Sequence, residues 1–263
     1  MVNTQKEKDL ERLRAFRLMD DDFMTAVFQN DNEVTQYVLR ILLEDAELRV
    51  LSVNTQHMLK NMLGGRSIKM DVQAVDANQH LINIEIQRAD RGAVEKRARY
   101  HSSMFDASAL REKQEFSALP ETYVIFITEN DVLGKGLPLY HIERTIQETG
   151  ELFADGEHIL YVNGSYEGKD PVGLLMHDFR SSDPGKMNES VLRNKVRYFK
   201  ESKEGKQHMC RMMEEMRNEA VEKNSVENYY AMLAQDFPEH KVRIGLGITD
   251  EILAKYPELK PKQ

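Results

Sequence analysis

The chain has 263 residues, of which 41% are hydrophobic and 30% charged, with one cysteine and no tryptophan. This length and composition give a globular protein with enough apolar side chains for a sizeable core, and they exclude collagen-like, low-complexity and wholly disordered chains. A formal net charge of −8 argues against non-specific coating of nucleic acid, lone Cys210 excludes an intramolecular disulfide, and the lack of any long apolar run predicts a soluble, cytoplasmic protein with no membrane association.

Apolar positions at Leu10, Leu13, Phe16 and Leu18, and again at Val34, Tyr37, Val38, Ile41 and Leu42, recur at helical intervals, so the first fifty residues are expected to be mainly helical. Asp20, Asp21 and Asp22 read as an N-cap and favourable first-turn charges. Near Arg49 the pattern changes. Val50, Leu51 and Val53 predict a strand, Gly64 and Gly65 a turn, and two alternating runs follow, Ile68 to Val75 and Leu81 to Gln87. Asp76-Ala77-Asn78 between them predicts a hairpin. After Gly92 the period is helical to about Leu110, with Ala98, His101, Met104 and Phe105 on one side. Thr122 to Thr128 is short, apolar and β-rich, as a central strand covered on both faces would be. Further strands are predicted at Leu139 to Ile146 and His158 to Asn163. Helix is expected from about Met187 to the end, broken near Gly205, at Pro238 and at Gly245/Gly247. The element order predicts an α/β core in residues 1–185 and a helical extension in 186–263.

The hairpin carries the strongest chemical signal. Centred on Asn78, it sets Asp71 directly across from Glu85, with Cβ atoms roughly 5 Å apart, and Gln87 points to the same side. Two carboxylates so placed repel unless one takes a proton or a cation sits between them. A hard divalent cation suits them. Mg²⁺ takes oxygen ligands, and Asp71, Glu85 and the backbone carbonyl of Ile86 could supply them. The spacing alone equally allows two solvated carboxylates on the polar face of an edge hairpin. Segments 88–113 and 186–206 are locally basic, which fits solvated helix faces as well as anion-contacting surfaces. Met209, Met212, Met213 and Met216 form a stripe suited to core packing or to a helix partner, and so to homo-oligomerisation through the C-terminal helices.

The string Ser67-Ile68-Lys69-Met70-Asp71-Val72, a turn, Asn83-Ile84-Glu85-Ile86-Gln87-Arg88-Ala89-Asp90, and a helix with Arg97-Ala98-Arg99-Tyr100 together resemble the PD-(D/E)XK nuclease superfamily. More narrowly, they resemble its Rpn-type group of nuclease family transposases, in which Asp…Glu-x-Gln stands for Asp…Glu-x-Lys. The likeness extends to Asp20 to Phe23 with Phe28 and the helix through Leu43, to Thr122 to Glu129 and to Pro138 to Ile142, about residues 15 to 200 in all. It implies a restriction-endonuclease-like αβββαβ core with a mixed sheet. It also implies a metal-dependent endodeoxyribonuclease that hydrolyses phosphodiester bonds of DNA, linked to recombination or mobile DNA.

On this resemblance Asp71 and Glu85 would hold Mg²⁺, with Mn²⁺ as a substitute, and Gln87 would position a water. Gln87 brings no positive charge, so a neighbouring cation has to supply it. Lys69 and Arg88 are candidates for that role and for DNA contact, although Arg88 is expected to point to the opposite face of its strand. Arg97 and Tyr100, on the helix beside the active edge, are expected to contact DNA. Arg97 lies on the inward face, where it needs a phosphate or a buried acid as partner. The sequence departs from the group at Met24 and Thr25, where a lysine often follows the phenylalanine. Two other readings stay open: a catalytically inactive nuclease-fold protein that binds DNA or a protein partner, and a helix-mediated interaction protein acting through residues 186–235.

Overall fold

The computed structural model describes residues 2–59, 67–87 and 92–261. Helices α1 (Val2–Ala15), α2 (Asp21–Phe28) and α3 (Asn32–Leu42) precede strands β1 (Val50–Leu59), β2 (Ile68–Asp76) and β3 (Leu81–Gln87). Helix α4 (Glu95–Ala109) returns the chain to β4 (Thr122–Thr128), which is followed by β5 (Leu139–Ile142), β6 (Glu157–Asn163) and α5 (Pro171–Arg180). Helices α6 (Ser190–Glu201), α7 (Lys203–Leu233), α8 (Glu239–Leu246) and α9 (Asp250–Lys255) complete the chain. The run from α3 to β4 is the αβββαβ order expected from the sequence. Among the described residues no helix is long and apolar enough to cross a membrane.

The sheet is mixed, in the order β1-β2-β3-β4-β6-β5. Strands β1, β2 and β3 form an antiparallel meander, β3, β4 and β6 run parallel, and β5 returns antiparallel to β6. The β2–β3 hairpin pairs Val72 with Ile84, Gln73 with Asn83 and Ala74 with Ile82, which is the register expected from a turn centred on Asn78. The Asp76 carboxylate fixes that turn, accepting from the N–H groups of Asn78 at 3.0 Å and His80 at 2.9 Å. β3 is buried continuously from Ile82 to Ile86, so both of its faces are covered. On one face Ala98, Met104 and Phe105 of α4 join Val124, Phe126 and Tyr161 in a common core. Helix α2 lies against β1 and β2, and α3 against β1.

Four elements differ from expectation. β1 runs on to Leu59, paired with β2 to its end, whereas the apolar pattern faded after Val53. β5 ends at Ile142, and beyond it Thr145 makes a single bridge to Leu152. Helix α5 was not anticipated; Asp170 caps it by accepting from Gly173 N at 3.0 Å, and Pro171 occupies its first turn. The break between α6 and α7 lies at Ser202, whose Oγ accepts from Gly205 N at 2.9 Å, and any side chain at Gly205 would overlap the Tyr198 carbonyl. Gly205 therefore permits a close approach inside the first turn of α7. The turn placed at Gly64 and Gly65 lies outside the described residues.

The chain forms two compact units, Leu10–Lys206 and Met1–Asp9 with Gln207–Gln263. The boundary drawn at 185/186 from the sequence falls inside the larger unit, where α6 packs on α3. In that unit the Lys200 ammonium donates to the carbonyls of Arg14, Phe16 and Ser182. The smaller unit has its own core of Val226, Tyr229, Val242, Ile248 and Tyr256, and Arg217 grips Asp9 through two bonds of 2.7 and 3.0 Å.

Candidate active site

The antiparallel ladder of β2 and β3 gives way to side chains at the step after Val72 and Ile84. Asp71 Oδ2 accepts from the N–H of Ile86 at 3.0 Å, and the N–H of Asp71 donates to Glu85 Oε1 at 3.4 Å. Carboxylates thus take main-chain bonds at the end of the hairpin. The arrangement is possible because the alternation of β2 and β3 brings Asp71 and Glu85 to the same side. Glu85 is fully buried and Asp71 is half-buried.

Burial pushes the Glu85 carboxyl well above the usual carboxylate range, and the charge of Asp71 pushes it further; the Asn83 hydrogen bond and Arg97 oppose this. Burial likewise raises Asp71, with the Asp21 charge adding to it, while the Ile86 N–H, Arg97 and Lys69 pull it down. Two acidic groups therefore share a place that cannot comfortably hold two negative charges.

Arg97 of α4 binds Glu85. Its Nη2 lies 2.8 Å from Glu85 Oε2, its Nη1 donates to Gln87 Oε1 at 3.0 Å and to the Gly92 carbonyl at 3.1 Å, and its Nε donates to His101 Nε2 at 3.3 Å. The guanidinium also lies over the Phe126 ring, 5.8 Å from its centroid. The partner of Arg97 is thus the motif glutamate itself. Asn83 Nδ2 donates to Glu85 Oε1 at 3.1 Å and lies 3.1 Å from His101 Nδ1, while Asn83 Oδ1 is buried without a hydrogen-bond partner. Asn83 and His101, both buried, were not assigned to the site from the sequence. Their signal was available: Asn83 and Glu85 share a face of β3, and His101 lies one turn beyond Arg97.

Other expected residues fall elsewhere. Lys69 is exposed, though its charge reaches Asp71. Tyr100 is half-buried against the α4 core. Arg88 lies outside the described residues. Met24 is fully buried in α2, so it packs the core. Asp21 and Asp22 occupy the first turn of α2 as expected. Asp20 stands at the N-cap, yet its carboxylate accepts from Arg17 N at 2.8 Å instead of capping α2.

Among the described residues no group of three or more His, Cys, Asp or Glu side chains forms a metal cage. A donor set of two carboxylates, to which the Ile86 carbonyl could add, is all hard oxygen. It suits a hard divalent ion that keeps several waters, and the mutual repulsion of Asp71 and Glu85 gives such an ion a place.

The family model for PD-(D/E)XK nuclease family transposases matches residues 25–165, more than half of the chain. The chain belongs to this family. No curated protein and no solved structure matches it. In this PD-(D/E)XK nuclease family transposase, the matched span contains the whole β2–β3 hairpin and α4, so Asp71, Glu85, Gln87 and Arg97 all lie within it. Helix α5 and everything after it lie beyond that span.

Proposed function

We propose that the protein is a divalent-metal-dependent endonuclease that hydrolyses phosphodiester bonds of DNA in the cytoplasm, in the service of DNA recombination or mobile DNA. The single observation that carries this reading is the facing pair of half-buried Asp71 and buried Glu85, both of whose carboxyls burial raises even with the Arg97 guanidinium beside Glu85. Asp71, Glu85 and the Ile86 carbonyl would hold Mg²⁺, or Mn²⁺ in its place. When bound, the ion supplies Lewis-acid polarisation of the phosphate and acidification of a water.

The chain's own residues do the rest. Gln87 can accept from or donate to an attacking water through its amide, which orients it without adding charge. Asn83, through its bond to Glu85 Oε1, fixes the carboxylate that must present an oxygen outward. Arg97, with Lys69, Tyr100 and Arg88, would receive the DNA backbone, and the planar guanidinium matches a phosphate in two-point geometry.

The test is cleavage of supercoiled plasmid by the purified protein with Mg²⁺, Mn²⁺, Ca²⁺ or EDTA, beside the Asp71→Ala variant. Nicking that requires Mg²⁺ or Mn²⁺ and disappears in the variant is the expected result. Intact plasmid with every ion, from folded protein, overturns it.

A further inference from the structure

Arg97 is held unevenly. Nη1 and Nε meet neutral acceptors, namely Gln87 Oε1, the Gly92 carbonyl and His101 Nε2, and the Phe126 ring lies under the guanidinium plane. Among the described residues only Nη2 reaches a charged group, Glu85 Oε2 at 2.8 Å. The other oxygen of Glu85 accepts from Asn83 Nδ2 and the Asp71 N–H, with His101 Nδ1 3.6 Å away. Oε2, the oxygen that Arg97 covers, is therefore the one with which Glu85 would help to hold a divalent ion. Removing Glu85 from Arg97 would leave the guanidinium anchored by its neutral contacts, with one N–H edge turned free at the site and its side chain 34% exposed to incoming substrate. A methyl group at Gly92 would displace the Gln87 oxygen that accepts from Nη1.

We propose that Arg97 is an exchangeable cation of the active site. It neutralises Glu85 in the ion-free protein, yields Oε2 to a divalent ion, and turns the released Nη2 N–H to a phosphate oxygen of the bound DNA. This rests on the metal-dependent reading above and adds a competition between a side chain and the ion to it. Arg97 then supplies from α4 the positive charge that Gln87 lacks on β3, and the unliganded site is kept from standing open with two bare carboxylates.

The test is Mg²⁺ binding by calorimetry, without DNA, to the full chain and to Arg97→Met and Arg97→Lys. Exchange predicts that Arg97→Met binds Mg²⁺ roughly tenfold or more tighter, the scale on which a charge in contact shifts an ionic equilibrium. Arg97→Lys, which keeps a cation, should show a smaller gain. At saturating Mg²⁺, Arg97→Met should nevertheless cleave plasmid more slowly than the parent chain. Unchanged or weaker Mg²⁺ binding by folded Arg97→Met overturns the exchange and leaves the metal-dependent reading standing. If neither chain binds Mg²⁺, the metal-dependent reading itself fails, and the exchange with it. Nitrogen NMR of the arginine side chains in the unmutated chain gives a measurement that no folding defect can obscure: the Arg97 signals, assigned by their loss in Arg97→Lys, must shift on adding Mg²⁺, and constant signals in a chain that binds Mg²⁺ refute the exchange.

Discussion

Arg97 Nη2 lies 2.8 Å from Glu85 Oε2 and joins the helix after the hairpin to the strand that carries the motif. Through Gln87 and Glu85 together, Arg97 touches two of the three motif side chains. Among the described residues the site thus sets two carboxylates against the Arg97 guanidinium, and this imbalance governs how substitutions there behave.

Asp71→Asn removes one of two facing charges and keeps the shape of the side chain. Its amide can still accept from the Ile86 N–H. Stability at neutral pH should stay level or rise by about 1 kcal/mol, the energy of one unit of pKa displacement. Cleavage should fall by more than the roughly 10²–10³-fold that loss of a single electrostatic donor costs. Urea unfolding beside a plasmid assay checks both, and a variant that unfolds would remove Asp71 from the site.

The same pair sets a pH dependence. Burial raises both carboxyls above their unfolded values, so the folded chain binds more protons across the interval from the usual carboxylate range up toward neutrality. Their contribution is stabilising below about pH 4, where both are protonated in either state, and is lost as pH rises through the folded values. Unfolding free energy measured from about pH 5 to about pH 8 should therefore decline more steeply in the parent chain than in Asp71→Asn/Glu85→Gln. Because protons and metal compete, Mg²⁺ should stabilise the parent chain more at the upper end of that range. Equal slopes in the two chains would rule this account out.

The hairpin was legible because strand alternation and one turn fix a register, and Asp71 opposite Glu85 follows from two local facts. The αβββαβ order was legible for the same reason, as each element shows its own period. Helix α5 also announces itself through Asp170-Pro171 and the spacing of Val172, Leu175, Met176 and Phe179. The partner of Arg97 was not legible. Glu95 and Asp106 lie on the same helix, and only the packing of α4 across β3 and β4 selects Glu85 in their place. Extent was hard to read for β1, since edge residues such as Leu51 and Met58 are exposed and break the apolar alternation.

His101→Phe removes a neighbour that Arg97, Asn83 and Glu85 share. Phenylalanine keeps the ring that sits 6.0 Å from Phe126 and removes the acceptor of Arg97 Nε. The variant should fold and lose roughly 10–100-fold in turnover, as loss of a group that orients the residues around a metal site does. A fall in DNA affinity with turnover intact would instead make His101 part of the binding surface.

Lys200 offers a prediction away from the site. Its ammonium is 8% exposed as a residue, sits 5.2 Å from the Phe23 ring centroid, and donates to three carbonyls, those of Arg14, Phe16 and Ser182. Burial pulls its pKa down to about 8, with the charges of Asp20 and Asp183 opposing the shift. These bonds tie the end of α1 and the segment before α6 to α6 itself. Lys200→Met preserves the aliphatic stem and strands the carbonyls, so it should cost roughly 2–4 kcal/mol of unfolding free energy. Asp71 and Glu85 lie on β2 and β3, outside these bonds. Mg²⁺ affinity of the folded Lys200→Met protein should therefore match that of the parent chain, and calorimetry alongside urea denaturation separates a lost structural clamp from any part in catalysis.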